Sequence, residues 1–195
     1  MKFFIATKNP KKLLELERIL KPLNIEFVSE KDLKSSIPEV EETGKTFEEN
    51  AMLKAKSGCI NTGLPTIADD SGLCVDALLG APGIYSARFA GEDCNDQKNI
   101  DKLLKELKDV PKENRTARFV TAIAVCFPDG KSFTVRGICE GYIATERHGT
   151  NGFGYDPVFM TEKGCFGEMS REEKDKISHR GKALAALNLE LKKYI

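Results

Sequence analysis

The sequence is short of the residues that build a zinc centre. It has two histidines, His148 and His179, and none of its six cysteines belongs to a Cys-x-x-Cys pair. That spacing argues against the common structural zinc sites. It also lacks an excess of either charge, with 30 Lys and Arg against 30 Asp and Glu. A nucleic-acid track shows as a basic surplus, so a nucleic-acid partner is the least favoured reading. A small anionic ligand needs only a local group of cations, which zero net charge permits. No apolar run is long enough to span a bilayer, and the N-terminal run Phe3-Phe4-Ile5-Ala6 is too short for a signal peptide. The expectation is a cytoplasmic protein with no membrane partner. Several cysteines lie inside apolar runs, as buried reduced thiols do.

The 195 residues suit one domain, in one or two lobes. Phe3–Ala6 reads as a buried strand. Asn9 as cap and Pro10 at the first helical position then open a helix with Leu13, Leu16 and Leu20 at helical spacing. Ile25–Val28 reads as a strand, and 30–45 as a polar, irregular stretch. Thr46 and Glu49 match a capping box, with Phe47, Ala51, Ala55 and Gly58 on one helix face and Gly63 at its end. A strand over Leu64–Ala68 should deliver Asp69 and Asp70 at its tip, followed by the apolar stretch Leu73–Val75. Asp96 opens a helix with Ile100, Leu103, Leu104 and Leu107 inward. Ala117–Phe127 alternates, Asp129-Gly130 turns, and Ser132–Ile138 returns as an antiparallel strand. A glycine-rich loop, Gly149–Asp156, precedes a short strand at Pro157–Met160. Ser170 and Glu173 form another capping box, and a last helix starts at about Gly181. Strands mixed with helices, with both a crossover start and a hairpin, predict an α/β fold: a mixed sheet in two lobes around a cleft.

Four groups of residues could carry chemistry. In the first loop, Thr7, Lys8, Asn9, Pro10, Lys11 and Lys12 join a strand to a helix, where free N–H groups and the helix dipole favour an anion. A capped helix with a solvated lysine face explains the same residues. Glu41, Glu42, Asp69 and Asp70 fall near element ends, and metal-assisted phosphoryl chemistry needs at least two such carboxylates. A solvated loop accounts for Glu41-Glu42 alone. A turn needs only one Asp, and two adjacent carboxylates repel unless a cation lies near. Gly152-Phe153-Gly154-Tyr155-Asp156 sets aromatic rings among small residues, either for a stacked base or for the core. Lys174 and Ser178-His179-Arg180-Gly181 form a cationic group beside a helix start, with a solvated charge run as its plainer reading. A phosphate cradle, a metal pair, a stacking ring and a donor group together suit a nucleoside triphosphate.

The same blocks resemble a known family. Thr7-x-Asn9 with Lys12, Glu41-Glu42-Thr43-Gly44, Asp69-Asp70-Ser71-Gly72, Gly80–Arg88, Gly152–Asp156 and Ser178–Gly181 are similar, in order and over nearly the whole chain, to the inosine/xanthosine triphosphate pyrophosphatases. The resemblance implies hydrolysis of ITP, dITP and XTP to the monophosphate and pyrophosphate, with Mg²⁺, in a homodimer. It implies one domain over 1–195, with an elongated mixed β-sheet flanked by helices and two lobes around a central nucleotide-binding cleft. By position, it implies that residues 7–12 cradle phosphates and that Glu42 and Asp70 ligate Mg²⁺. Asp70 would be the proton acceptor for the attacking water. Ser71, Phe153, Gly154, Tyr155, Asp156 and Lys174 would line the nucleotide site, with His179 and Arg180 near the base. Lys8 departs from relatives, which often carry a small residue there. The alternatives are a related pyrophosphatase for other modified nucleotides and a non-catalytic nucleotide-binding module.

Overall fold

The computed structural model describes residues 2–20, 25–33 and 36–194. Residues 34 and 35 of the expected irregular stretch lie outside the described residues. The strands are β1 (Lys2–Ile5), β2 (Glu26–Val28), β3 (Thr66–Val75), β4 (Thr116–Cys126), β5 (Ser132–Ile143), β6 (Phe159–Thr161) and β7 (Gly164–Cys165). The helices are α1 (Pro10–Leu20), α2 (Phe47–Thr62), α3 (Asp96–Glu106), α4 (Arg171–Ile177) and α5 (His179–Leu191). The strands form one seven-stranded mixed sheet in the order β2-β1-β3-β4-β5-β6-β7. β1 pairs in parallel with β2 and β3, placing Phe3 opposite Phe27 and Phe4 opposite Thr66. β6 pairs antiparallel with β5 and β7.

Local chemistry sets most element ends. Asn9 Oδ1 accepts the Lys11 and Lys12 N–H groups at 2.9 and 3.3 Å, and Pro10 gives up a donor that had no partner to lose. Thr46 Oγ1 accepts the Glu49 N–H at 3.1 Å, but the Glu49 carboxylate reaches back to Lys45 N rather than closing a box on Thr46. Gly63 ends α2 in the left-handed region at φ +67°, with its N–H on Cys59 O. Ser170 and Glu173 do form a reciprocal box at the start of α4.

Four boundaries differ from the sequence reading. β3 does not stop at Ala68. It continues to Val75, so Asp69 and Asp70 lie inside a strand rather than at its tip. β5 runs past Ile138 to Ile143, whereas α3 begins at Asp96 as expected, capped by Asn95 while the Asp96 carboxylate accepts the Gly154 N–H. Pro157 and Val158 sit in a 3-10 turn before β6, because proline has no N–H to give a ladder. The last helix begins at His179, directly after Ser178 ends α4.

The chain divides into two compact units. The first comprises Met1–Asp70, Thr121–Gly137 and Arg180–Ile195, and the second Ser71–Val120 and Ile138–His179. The first unit's core joins Phe3, Ile5 and Ile67 to Leu16 and Leu20 of α1 and to Leu184, Leu187 and Leu191 of α5. The second unit's core joins Leu73 and Val75 to Ile100 and Leu103 of α3, and to Phe119, Phe159 and Phe166. Each fully buried side chain of this kind contributes about 1.5–3 kcal/mol by leaving water.

Candidate functional site

Strand parity decides what the two adjacent aspartates do. Ile67 faces the core made with α1 and α5. Asp69, two residues on, faces the same way. Thr66 faces α2, since a Cβ on Gly58 would lie 2.7 Å from its methyl group. Asp70 shares that parity and faces α2.

On the α1/α5 face, Asp69 Oδ2 lies 3.0 Å from Lys12 Nζ and 3.5 Å from Arg180 Nη2. Arg180 also pairs with Glu15 of α1. Asp69 and Arg180 are buried, each 2 % exposed, while Lys12 and Glu15 are half-buried. Burial alone would push the Asp69 carboxyl up, but Lys12 and Arg180 outweigh it and hold it well below the usual carboxylate range. Burial pulls the Lys12 ammonium down from its ordinary value, opposed by Asp69. Asp69 therefore ties α1 and α5 to the sheet.

On the α2 face, Asp70 Oδ1 lies 3.1 Å from Lys54 Nζ, which lies 2.9 Å from Glu42 Oε1. Asp70 Oδ2 accepts from Asn50 Nδ2 at 3.4 Å, and Asn50 Oδ1 accepts the Gly44 N–H at 2.8 Å. Asn50 thus fixes the segment carrying Glu42 relative to Asp70. Gly44 has to be glycine for this approach, because a Cβ there would sit 2.6 Å from Asn50 Oδ1. Burial pushes the Asp70 carboxyl up from its ordinary value, with Lys54 and Lys12 opposing and Glu42 assisting. Burial works against the Lys54 ammonium, but the carboxylates of Asp70, Asp69 and Glu42 outweigh it and hold it protonated.

These residues fit a magnesium ion. Glu42 and Asp70 already converge on one cationic centre, the Lys54 ammonium, and both are hard oxygen donors. Among the described residues no three acidic, imidazole or thiol groups form a ready-made cage. Mg²⁺ usually takes one or two carboxylates and completes its octahedron with water and substrate phosphates. Glu41 is exposed and stands apart from this set.

In the first loop, Thr7 Oγ1 accepts the Asn9 N–H at 3.3 Å, and the exposed Lys8 lies 3.5 Å from Glu39. Lys11 is exposed, while Lys12 turns inward to Asp69. The six residues thus split: Lys12 joins the ionic network, while the rest shape and charge the helix start. Ser71 follows Asp70 in β3, half-buried.

The second unit holds the remaining candidates. Asp156 Oδ2 accepts the Phe153 N–H at 2.8 Å and pairs with Lys174 Nζ at 2.7 Å. Lys174 is buried and lies 5.0 Å over the Phe153 ring. Gly152 sits at φ +77°, where a Cβ would come within 2.0 Å of Asp156 Oδ2. Gly154, at φ +58°, has open space where its Cβ would be. Phe153 is partly exposed. Tyr155 is core: its hydroxyl donates to Ser86 O at 2.7 Å, and burial pushes the phenol up. His179 is buried and stacks on Phe119, with centroids 4.6 Å apart.

Sequence reasoning missed Lys54 and Asn50. They stand four residues apart on α2, one position before Ala55 and Ala51 of the predicted buried face. A polar pair at that spacing beside a stripe of small residues was the available signal.

The family model described as the Ham1 family matches residues 3–189. The chain is 53% identical over 186 residues to a dITP/XTP pyrophosphatase of Bacillus licheniformis, covering 94% of each. It superposes on the Staphylococcus aureus Ham1 protein with a TM-score of 0.89, 40% identity and full coverage of both chains. On a Mycobacterium abscessus nucleoside-triphosphatase / dITP/XTP pyrophosphatase the TM-score is 0.78, with 48% identity over 96% of this chain and 97% of that one. A match this long, on a sheet that carries the acidic pair in the same chain, makes the protein a member of the Ham1 family.

Proposed function

We propose that this chain is a hydrolase that converts ITP, dITP and XTP to the nucleoside monophosphate and pyrophosphate, removing non-standard purines from the nucleotide pool. The observation that carries the reading is the convergence of Glu42 and Asp70 on Lys54, in a chain half-identical to dITP/XTP pyrophosphatases. Hydrolysis cleaves the bond between the α-phosphorus and the bridging oxygen of the pyrophosphate. Asp70 accepts a proton from the attacking water, and its raised proton affinity suits a general base. Glu42 and Asp70 would hold Mg²⁺, which when bound would supply positive charge to the phosphate oxygens. Lys54 and the lysines of residues 7–12 offset charge on the departing pyrophosphate. Asn50 orients Asp70 without contacting substrate.

Ser71, Phe153 and Gly154 line the nucleotide, Phe153 by its partly exposed ring, while Asp156 and Lys174 hold the loop and Tyr155 backs it from the core. Hypoxanthine and xanthine present an O6 acceptor where adenine presents an N6–H₂ donor. A donor from His179, Arg180 or nearby backbone would satisfy O6, and a buried group left unpaired costs about 1–3 kcal/mol. The enzyme acts as a homodimer in the cytoplasm on this reading. Among the described residues, no helix is long and apolar enough to cross a membrane.

Pyrophosphate release from ITP, dITP, XTP, ATP and GTP, with and without Mg²⁺, tests the proposal. Metal-dependent release from the first three, well above the last two, is expected. Preference for another modified nucleotide would move the assignment within the enzyme class. Binding without release would make the chain a nucleotide-binding module.

A further inference from the structure

The loop at 152–156 contains two glycines in the left-handed region, Gly152 and Gly154. Glycine gives up more backbone freedom on ordering than any other residue, so such a loop needs ties from outside itself. Two are present, and they end on residues with no part in the reaction assigned above. Asp96, the first residue of α3, accepts the Gly154 N–H on Oδ2 at 2.9 Å. The backbone carbonyl of Ser86 accepts the Tyr155 hydroxyl at 2.7 Å. Burial first, and then the Asp96 carboxylate, push the Tyr155 phenol up, which keeps that hydroxyl a donor.

Both ties lead back to α3. Asn95 Oδ1 caps the helix by accepting the Lys98 N–H at 3.0 Å, so the cap does not depend on the Asp96 side chain. Further along, the buried Asn99 donates to Ala87 O at 2.8 Å and accepts the Ala90 N–H at 2.7 Å. Lys102 donates to Phe89 O at 2.7 Å. These bonds fix the segment that carries Ser86, and Ser86 Oγ fastens it to β3 by accepting the Leu73 N–H at 2.8 Å. Ile100 and Leu103 seat α3 itself in the second unit's core.

We propose that Asp96 is a positioning residue for the nucleotide: its hydrogen bond to Gly154, backed by the bond from Tyr155 to Ser86, holds Phe153 in place for the base. The proposal rests on the nucleotide reading of this loop given above. Asp96 acts through the Gly154 backbone. Without the tie, the ligand would have to order the loop on binding, and that cost falls on affinity rather than on the chemical step. A carboxylate in the first turn also favours the helix dipole, so charge and hydrogen bonding must be separated.

Two substitutions separate them. Asp96→Asn keeps an acceptor oxygen and removes the charge, whereas Asp96→Ala removes both. With ITP, Asp96→Ala should raise KM about tenfold with a small change in kcat, and Asp96→Asn should stay within about threefold of wild type. Tyr155→Phe, which keeps its ring in the core, should raise KM in the same direction. Amide hydrogen exchange of the free protein supplies a readout without nucleotide. Gly154 should exchange at least about tenfold faster in Asp96→Ala than in wild type or Asp96→Asn. Equal losses in Asp96→Ala and Asp96→Asn would reduce Asp96 to a helix charge and overturn the proposal, as would unchanged Gly154 exchange in Asp96→Ala. Wild-type protein that releases no pyrophosphate fails the assigned reaction. An active wild type with an unchanged KM in Asp96→Ala fails this proposal alone.

Discussion

The Lys54 ammonium lies 3.1 Å from the Asp70 carboxylate, and both side chains are largely buried. One strand position away, Asp69 makes an equally close pair with Lys12 at 3.0 Å. The two pairs differ in consequence. Asp69 is held ionised by Lys12 and Arg180, whereas Asp70 is pushed towards protonation by its burial. Neighbouring residues of one type thus sit in separate ionic networks, and under the proposed function only Asp70 takes part in the chemistry.

Asp70→Asn should remove most turnover and leave the fold intact. The folded state raises the proton affinity of Asp70, so the native protein favours the neutral form. Its contribution to stability is present at low pH and is lost as pH rises through the folded value. At pH 7.5 the neutral amide should therefore melt no lower than the wild type. Near-normal pyrophosphate release would remove Asp70 from its role.

Asp69→Asn should do the reverse in stability. It leaves Lys12 and Arg180 buried with too little negative charge, at a cost of about 3–5 kcal/mol. For a chain of this length that is a fall of roughly 10 °C in melting temperature. The depressed carboxyl contributes stability at pH above the ordinary carboxylate value of about 4, and this is lost as pH falls through the lower folded value. The gap between variant and wild type should narrow in strong acid. A gap unchanged between pH 7 and pH 2 would contradict the assignment.

Lys54→Gln removes the leading cation that favours ionised Asp70. The acid limb of kcat/KM should move to higher pH, with turnover at pH 7 down by about a hundredfold. Burial already raises the Asp70 carboxyl from its ordinary value in the wild type. A profile unmoved on the acid side would show that Lys54 does not tune Asp70.

Gly152→Ala should loosen the loop at 152–156. The new Cβ meets Asp156 Oδ2 at 2.0 Å in a left-handed backbone. Asp156 must then shift from Phe153 N and Lys174. The expected result is a KM raised at least about tenfold with a smaller change in kcat, a split that reports substrate positioning. Equal kcat and KM to wild type would detach this loop from the nucleotide.

Much of this was legible beforehand. Asn9-Pro10, Thr46, Gly63 and Ser170/Glu173 announced helix ends, because capping depends on residues within one turn. Glu42 and Asp70 were legible as a pair by resemblance to a family pattern. Lys54 and Asn50 were not, since their importance arises only when α2 lies over β3. Reading β3 as ending at Ala68 was a local error with a global cause. Acidic residues disfavour a strand interior, and only the cations of other segments make them tolerable there.

The order of the helices and strands and the caps that bound them were set by the sequence itself, through local hydrogen bonding and apolar spacing. The different surroundings of Asp69 and Asp70 were decided by tertiary structure. Adjacent residues in a strand face opposite ways, and what waits on each face — Lys12 and Arg180, or Lys54 and Asn50 — comes from segments far apart in the chain.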